Sequence, residues 1–93
     1  MRMEFEWNPE KAESNYRKHG ISFEAAATVF DDALSFTFPD PDHSIGESRY
    51  VIIGMSQYGE LLVVAHTDRD EKIRIISARK ATRSERRFYE QGE

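Results

Sequence analysis

The stretch from Leu61 to Tyr89 constrains the fold most, because it joins a strand hairpin to a cationic segment. It begins with the apolar run Leu61–Ala65, turns through the polar residues 68–71, and returns as the segment Lys72–Arg79. Two apolar runs joined by a short polar turn predict a β-hairpin. A hairpin of this length needs further strands or a helix against its apolar side, so the remaining chain must supply them.

Positive charge is concentrated in the second strand of this hairpin and in the segment after it. Residues 72–87 contain seven Lys or Arg and a single acid, Glu85, although the whole chain has a net charge of -4. Because side chains alternate along a strand, Lys72 and Arg74 should share one face of it. A local cationic surface can bind phosphates even when the protein is acidic. We therefore interpret this segment as the functional surface and the remainder as its frame.

Length and composition predict one small folded domain that spans residues 1–93. The hydrophobic content of 39% and the aromatic content of 12% are typical of a folded chain. The absence of cysteine excludes disulfides and thiolate chemistry. The longest apolar run has five residues, whereas a membrane-spanning helix needs about 20. We therefore expect a soluble, cytoplasmic protein with no membrane partner.

The rest of the chain predicts helices packed on a mainly antiparallel sheet. Asn8 should cap a helix at 9–18 that ends at Gly20, and Ser22 should open a second helix at 22–30. Strands are expected at 4–7, 34–38, 49–56, 61–67 and 72–79, with a last helix from Thr82 to Gly92. The order β-α-α-β-β-β-β-α predicts the α+β class. Periodicity predicts burial of Phe23, Phe30, Ile53, Val63 and Ile75.

Several aromatic, histidine and glycine residues are interpreted as structural. Trp7 and Tyr16 are expected to pack the two N-terminal helices onto the sheet. His19 is expected at a helix end, where an imidazolium is favoured. His66 alternates with apolar strand residues, so we expect it to be packed. Gly54 is interpreted as a bulge.

Five groups of residues together resemble the BrnT family of bacterial type II toxins. They are Phe5–Ala12 with Asn15, Lys18–Glu24, Asp42-His43-Ser44 with Glu47 and Arg49, Arg74–Arg79, and Glu85-Arg86 with Tyr89. The resemblance covers nearly the whole chain in one order and spacing. It implies a RelE-like fold, ribonuclease activity, and neutralisation by a BrnA-type antitoxin that also binds DNA. A dimer and a heterotetramer with the antitoxin both stay open.

Candidate site residues follow from the chemistry of metal-free RNA cleavage. That reaction needs a base for the 2′-hydroxyl, an acid for the leaving 5′-oxygen and cations for the crowded phosphate. The catalytic candidates are His43, Glu47, Arg49, Arg79 and Tyr89. The candidate RNA contacts are Lys72, Arg74, Lys80, Arg83, Arg86 and Arg87. No glycine-rich phosphate loop or zinc spacing occurs, so neither a metal nor another cofactor is expected.

Each of these candidates has a structural alternative. His43 could serve only as a hydrogen-bond partner within its loop, and Glu47 and Arg49 could form an ion pair with each other. The three arginines after Thr82 could be an ordinary solvated helix face. For the whole chain, the alternative is a non-enzymatic module that docks an antitoxin or another acidic segment on its basic strand and helix. Direct DNA binding is less favoured, because no helix-turn-helix pattern occurs.

Overall fold

The computed structural model describes residues 3–92, which form three α-helices and a five-stranded sheet. The strands are β1 (Phe5–Glu6), β2 (Phe36–Pro39), β3 (Arg49–Met55), β4 (Leu61–Arg69) and β5 (Lys72–Lys80). The helices are α1 (Pro9–His19), α2 (Phe23–Thr28) and α3 (Arg83–Gln91), with 3-10 turns at Val29–Asp31 and Pro41–His43. Within residues 3–92, no helix has the length and apolar character needed to cross a bilayer.

The sheet has the strand order β1-β5-β4-β3-β2. β2, β3, β4 and β5 pair antiparallel with their neighbours, whereas β1 pairs parallel to β5 at the edge. This arrangement confirms the predicted α+β class and the mainly antiparallel sheet. The β4–β5 hairpin closes through Asp70 and Glu71, both of which have positive φ angles of 51° and 65°. Two such residues in a row are typical of the tight turn whose twist matches that of paired strands.

The N-terminal helices begin where the sequence predicts, and the second ends earlier. The Asn8 side chain accepts an N–H of the first turn of α1 at 2.8 Å, and Gly20 ends the helix with a φ of 72°. Only glycine adopts that left-handed conformation without steric cost. The helix predicted at 22–30 is shorter, because the chain tightens into a 3-10 turn after Thr28. The Thr28 hydroxyl accepts the N–H of Gln57 at 3.0 Å, which ties this end to the β3–β4 turn.

α1 and α2 cover one side of the sheet, which we call the α1–α2 face. Its sheet residues are Ile52, Leu62, Val64, His66, Ile75 and Ala78, and they pack against Phe23, Ala26 and Val29. Phe23, Ile53, Val63 and Ile75 are buried as predicted. Phe30 is only half-buried, because the 3-10 turn directs Val29 into the core instead. The packing expected of Tyr16 is wrong, since that side chain is 59% exposed.

Asn15 fastens α1 to the outer edge of β5. β1 covers that edge only at Ile73 and Arg74, so the strand beyond them needs another partner. The buried Asn15 amide donates to the Ala78 carbonyl at 2.9 Å and accepts the Ala78 N–H at 3.1 Å. It also donates to the carbonyl of Ile21 at 3.1 Å. One side chain therefore substitutes for a neighbouring strand and docks the helix.

His66 is packed, as predicted, in the middle of an aromatic group on the α1–α2 face. Its ring centroid lies 4.8 Å from that of Phe30 and 5.9 Å from that of Tyr50. Burial lowers the pKa of His66, although a hydrogen bond with the Val64 carbonyl and the charge of Asp68 raise it. The neutral imidazole is therefore the form that this core accommodates.

A one-residue register shift in β5 determines which cations share a face. The pairing of β4 with β5 shifts at Ile76, which has no partner of its own. Arg74 lies opposite Thr67 and Arg79 lies opposite Val63. Directly opposed residues of paired strands point to the same face, and positions 67 and 63 of one strand share a face. The extra residue therefore places two arginines five positions apart on one side of the sheet.

We call this second side of the sheet the α3 face. Its residues are Phe36 and Phe38 on β2, Arg49, Val51, Ile53 and Met55 on β3, Leu61, Val63, Ala65 and Thr67 on β4, and Arg74, Ser77 and Arg79 on β5. α3 covers one end, where Tyr89 packs with Ile53, Leu61 and Val63. The loop after β2 covers the other end, where the Thr67 hydroxyl donates to the Ser48 carbonyl at 2.6 Å. The middle of the face is open.

Candidate active site

A trough crosses the open middle of the α3 face, between α3 and the loop after β2. Two adjoining cavities of about 320 and 360 Å³ form it and share Phe38, Val51, Val63 and Glu85. The first is also lined by Ile53, Ser84 and Phe88, which makes it the apolar end. The second is also lined by Pro39, Asp40, Ala65, Ser77 and Arg79, which makes it the polar end.

Arg79 supplies the positive charge at the polar end of the trough. Its Nη1 and Nη2 donate to the two carboxylate oxygens of Glu85 at 2.8 and 2.9 Å. Glu85 also accepts the N–H of Thr82 at 2.8 Å, and the Thr82 hydroxyl accepts the N–H of Glu85 at 3.2 Å, which confirms the predicted capping box. The first turn of α3 therefore fixes where the guanidinium of Arg79 lies.

The ion pair with Arg79 also fixes the protonation state of both partners. The hydrogen bonds from Arg79 lower the pKa of Glu85 to about 2, against the opposing effect of partial burial. The hydrogen bond to Glu85 raises the pKa of Arg79, which burial opposes. Glu85 is consequently ionised at neutral pH, and it is too weak a base to accept a substrate proton there.

The loop after β2 holds His43 next to Asp40, a residue that lines the polar end. The Oδ2 atom of Asp40 lies 3.0 Å from Nδ1 of His43, whose side chain is 68% exposed. The Ser44 hydroxyl donates to the Asp40 carbonyl at 2.6 Å and accepts the N–H of Arg49 at 2.9 Å, which holds the loop in place. A carboxylate at Nδ1 favours the tautomer that leaves Nε2 free to accept a proton.

Asp40 is a candidate site residue that sequence reasoning missed. The segment Pro-Asp-Pro-Asp-His offers two acids near His43, namely Asp40 and Asp42. The 3-10 turn Pro41–His43 is the local feature that brings position 40 back to position 43. A Pro at the first position of a turn beginning one residue after an Asp is a usable signal for this geometry.

Arg49 and Arg74 flank the trough from two different strands. Both lie opposite Thr67, one from β3 and one from β5, so they share the α3 face with Arg79. Nη1 of Arg74 donates to Glu6 at 2.9 Å. Among the described residues, Arg49 has no carboxylate partner. The three guanidinium groups therefore share one face of the sheet, and those of Arg74 and Arg79 are each paired with a carboxylate.

Two of the predicted catalytic residues fasten the segments that flank the trough. Glu47 accepts from Nη2 of Arg69 at 3.2 Å and not from Arg49, so the alternative of a Glu47–Arg49 ion pair is wrong. The Tyr89 hydroxyl is buried under α3 and donates to Oδ2 of Asp32 at 2.6 Å. Partial burial raises the pKa of Asp32, but hydrogen bonds, that of Tyr89 among them, outweigh it and lower the pKa.

The other cations of β5 lie away from the trough. Lys72 is opposite Arg69 at the far end of the α3 face and is exposed. Lys80 is opposite Leu62, which places it on the opposite side of the sheet from Arg79. Its Nζ lies 3.6 Å from a carboxylate oxygen of Glu60. The predicted continuous basic strand is therefore divided between two faces.

The arginines of α3 are exposed and turn away from the sheet. Glu85, Phe88 and Tyr89 of this helix contact the sheet or line the trough above it. Arg83 and Arg87 are each two positions from Glu85, about 200° around the helix, so they lie on its outer side. Arg86 lies at the flank and lines a small cavity with Lys80 at the β3–β4 turn.

An aromatic wall at the apolar end is the second feature that sequence reasoning missed. Phe38 and Phe88 are 42% and 45% exposed, and their ring centroids are 5.6 Å apart. Phe36 lies beneath both, at 6.4 Å from Phe38 and 5.0 Å from Phe88. The alternation of Phe36 and Phe38 in β2 is a signal that both rings share a face.

Within residues 3–92, no three His, Cys, Asp or Glu side chains are grouped so that they could hold a metal ion.

Fold and site together define a small α+β domain with an arginine-bearing trough on one sheet face. The family described as "Ribonuclease toxin, BrnT, of type II toxin-antitoxin system" matches residues 7–85. The chain belongs to this family, as the sequence resemblance predicted, and is a BrnT-family ribonuclease toxin of a type II toxin–antitoxin system.

Comparison with solved structures agrees with the family match on the fold. The chain resembles the crystal structure of the Brucella abortus ribonuclease toxin, BrnT, with a TM-score of 0.68 and 21% sequence identity. The match covers 88% of this chain and 100% of the Brucella chain. No curated protein matches this chain.

Proposed function

We propose that this toxin cuts RNA at the trough by metal-independent general acid–base chemistry, and that a BrnA-type antitoxin neutralises it. The observation that carries the proposal is a single cavity lined by both Arg79 and Asp40, with the His43 ring 3.0 Å from the carboxylate of Asp40. A fixed guanidinium and an oriented imidazole are the two groups that phosphodiester transfer needs most.

His43 is the proposed general base. Its Nε2 accepts the proton of the 2′-hydroxyl while the 2′-oxygen attacks the adjacent phosphorus. The bond from phosphorus to the 5′-oxygen breaks, and water supplies the proton that the departing oxygen needs. The products are a 2′,3′-cyclic phosphate and a 5′-hydroxyl end. Asp40 stabilises the imidazolium that forms, because its carboxylate lies 3.0 Å from Nδ1.

Arg79 is the proposed stabiliser of the negative charge that builds up on the phosphate. A guanidinium has five N–H donors, and the pair with Glu85 occupies only part of them. The carboxylate holds the fork in one orientation before substrate arrives, so little reorganisation is needed in the transition state. Arg49 and Arg74 are proposed to bind phosphates next to the scissile one, and Lys72 is proposed to bind a phosphate further along the RNA.

The remaining predicted residues have supporting roles in this proposal. Glu47 and Tyr89 act as positioning residues, the first by fastening the loop of His43 to Arg69 and the second by fastening α3 to Asp32. Four cations beyond the trough attract RNA at longer range and contact an acidic antitoxin segment: Lys80, Arg83, Arg86 and Arg87. Binding of the antitoxin should weaken as salt is added, because exposed charge pairs are screened.

The central experiment measures RNA cleavage by the purified protein in excess EDTA and identifies the ends of the products. Arg79→Ala should lower the rate about 10²-fold, equivalent to ~3 kcal/mol, as expected for one preorganised contact. Arg79→Lys should not restore the rate, because a lysine lacks the planar fork. His43→Ala should also lower the rate, because it removes the proposed general base.

Lys18→Ala is the matched control, since it removes an exposed cation of α1, which covers the other side of the sheet, and should leave the rate unchanged. Circular dichroism should confirm the fold of every variant. Cleavage by Arg79→Ala at the parental rate would contradict the assignment of Arg79. A parent protein that leaves RNA intact, with and without ribosomes, would favour the non-enzymatic binding module instead.

A further inference from the structure

The apolar end of the trough is not explained by phosphate chemistry. Phe38 and Phe88 expose nearly half of their surface there, above a floor of Val51, Ile53 and Val63. Exposed aromatic rings that converge on one cavity mark a binding site more often than an accident of packing. The cavity volume of about 320 Å³ lies within the range of sites that hold small ring systems.

We infer that this apolar end is a seat for one unpaired nucleobase, stacked on the ring of Phe38 with Phe88 against its edge, of the strand whose phosphate lies at Arg79. The inference rests on the proposed function, because it names what part of the RNA the same trough takes. Its occupant follows from continuity, since the apolar and polar cavities share Phe38, Val51, Val63 and Glu85. A nucleotide combines a flat π-system with an anionic phosphate. It therefore matches an apolar cavity that adjoins a cavity lined by a guanidinium.

The rim of the seat fits a base better than the aliphatic side chain of a protein partner. Ser84 and Glu85 are the polar lining residues, and the Ser84 hydroxyl can both donate and accept. An aliphatic anchor would cover these groups without offering them a hydrogen bond, which is costly. A base brings donors and acceptors on its own edge. Stacking on rings is tolerant of sequence, so the seat should accept all four bases with modest preferences.

The test uses short single strands with 2′-O-methyl sugars, which lack the attacking hydroxyl and cannot be cleaved. The fluorescent base 2-aminopurine is placed at each position in turn. Anisotropy of an end label reports binding of the strand, and quenching of 2-aminopurine reports stacking of one base. We expect quenching at a single position on the parent protein.

Phe38→Leu and Phe88→Leu should abolish the quenching and weaken binding between about 5-fold and 150-fold, the range for loss of one stacked base at ~1–3 kcal/mol. Leucine keeps the apolar surface and removes only the ring. Tyr58→Leu is the matched control, because Tyr58 is an exposed ring at the β3–β4 turn, outside the trough. It should change neither signal. A strand without a base at the quenched position should bind both the parent and Phe38→Leu equally.

The outcomes separate this inference from the proposed function. Binding and cleavage of RNA without a quenched position, or with quenching retained in both leucine variants, overturns the base seat and leaves the cleavage proposal standing. The same result together with loss of antitoxin binding in the leucine variants would assign the rings to a protein partner. A parent that neither binds nor cuts RNA overturns both proposals.

Discussion

The two faces of the sheet are formed by the same strands but differ in burial and in charge. On the α1–α2 face, the core side chains are buried, the amide oxygen and nitrogen of Asn15 are both hydrogen-bonded, and burial lowers the pKa of His66. On the α3 face, cations, acids and half-exposed rings surround an open trough, and the pKa shifts of Arg79 and Glu85 favour charge. The contrast indicates that changes on the first face should affect stability, and changes on the second should affect activity.

Among the changes that test this contrast, the largest effect on stability is expected at Asn15. Asn15→Leu removes three buried hydrogen bonds and leaves the N–H and carbonyl of Ala78 without partners. Each unpaired buried group costs about 1–3 kcal/mol, so the free energy of unfolding should fall by roughly 2–4 kcal/mol. Urea denaturation followed by circular dichroism measures it. Ser14→Ala, one residue away and exposed, should change it little.

RNA cleavage per folded molecule should be unchanged in Asn15→Leu at a temperature where the variant is folded. Loss of cleavage in a variant that still shows parental circular dichroism would break the separation between the two faces.

The next effect is a packing clash on the α1–α2 face at Gly54. A methyl group there would lie 2.8 Å from Cγ1 of Val29 and 3.0 Å from Cβ of Ser35, so the interpretation of Gly54 as a bulge is wrong. The residue instead permits a close approach between β3 and the 3-10 turn. Gly54→Ala should destabilise the fold by about 1–3 kcal/mol, measured as a lower Tm.

Val29→Ala offers a check on the cause of that clash. The double variant should be less destabilised than the sum of the two single variants, because the shorter side chain makes room for the new methyl group. Strict additivity would show that the clash is not the cause.

A smaller effect tests whether Tyr89 acts on the substrate or only on the fold. Tyr89→Phe removes one hydrogen bond to Asp32, whose carboxylate still accepts the N–H groups of Met55 and Leu34. We expect a loss of about 1.5 kcal/mol in stability, near the lower limit for a bond to a charged group. The cleavage rate of the folded variant should change less than about threefold. A loss of about 10²-fold at full folding would instead indicate a role in proton transfer.

The smallest effect is the pH dependence that Glu85 contributes. Its pKa is about 2 in the folded protein, below the ordinary value of 4.5, so its stabilisation is complete above pH 4.5 and is lost as the pH falls toward 2. Because the Glu85 side chain is 30% exposed, we expect only about 1 kcal/mol. Unfolding of the parent and of Glu85→Gln, compared at pH 6 and pH 3, isolates this contribution, since His66 is present in both. Equal pH slopes in the two proteins would contradict it.

Local chemistry made the helices and strands predictable. Asn8, Gly20 and the Thr82–Glu85 pair act through backbone groups within a few residues, so their effects are legible in the sequence. The end of α2 was harder to predict, because it is accompanied by a hydrogen bond from Gln57, which lies far away in the chain. The packing predicted for Tyr16 is wrong because the position of a residue on one stripe of a helix does not show how much of that helix the sheet covers.

The candidate site was predictable only in part, for a geometric reason. The sequence indicates Arg79 and His43 as candidates, but it cannot say that the rings of Phe38 and Phe88 meet, because that contact joins segments far apart in the chain. The contact of Asp40 with His43 is local, but Asp42 is an equally near acid, and only the 3-10 turn decides between them. The bulge at Ile76 coincides with two adjacent isoleucines, Ile75 and Ile76, which interrupt the alternation of polar and apolar residues, but this interruption does not say which residue of β5 is left unpaired.

That single unpaired residue could be lost without changing the face that any other residue of β5 occupies. Deleting Ile76 would place Ile75 next to Ser77, and these two already point to opposite faces, so the pairing with β4 would become regular. Arg74 and Arg79 would then be an even number of positions apart and would still share the α3 face. Regular pairing without the deletion would instead turn residues 72–75 over and point Lys72 and Arg74 into the core beneath the helices. Related toxins that lack position 76 should therefore have a regular strand with the same two faces.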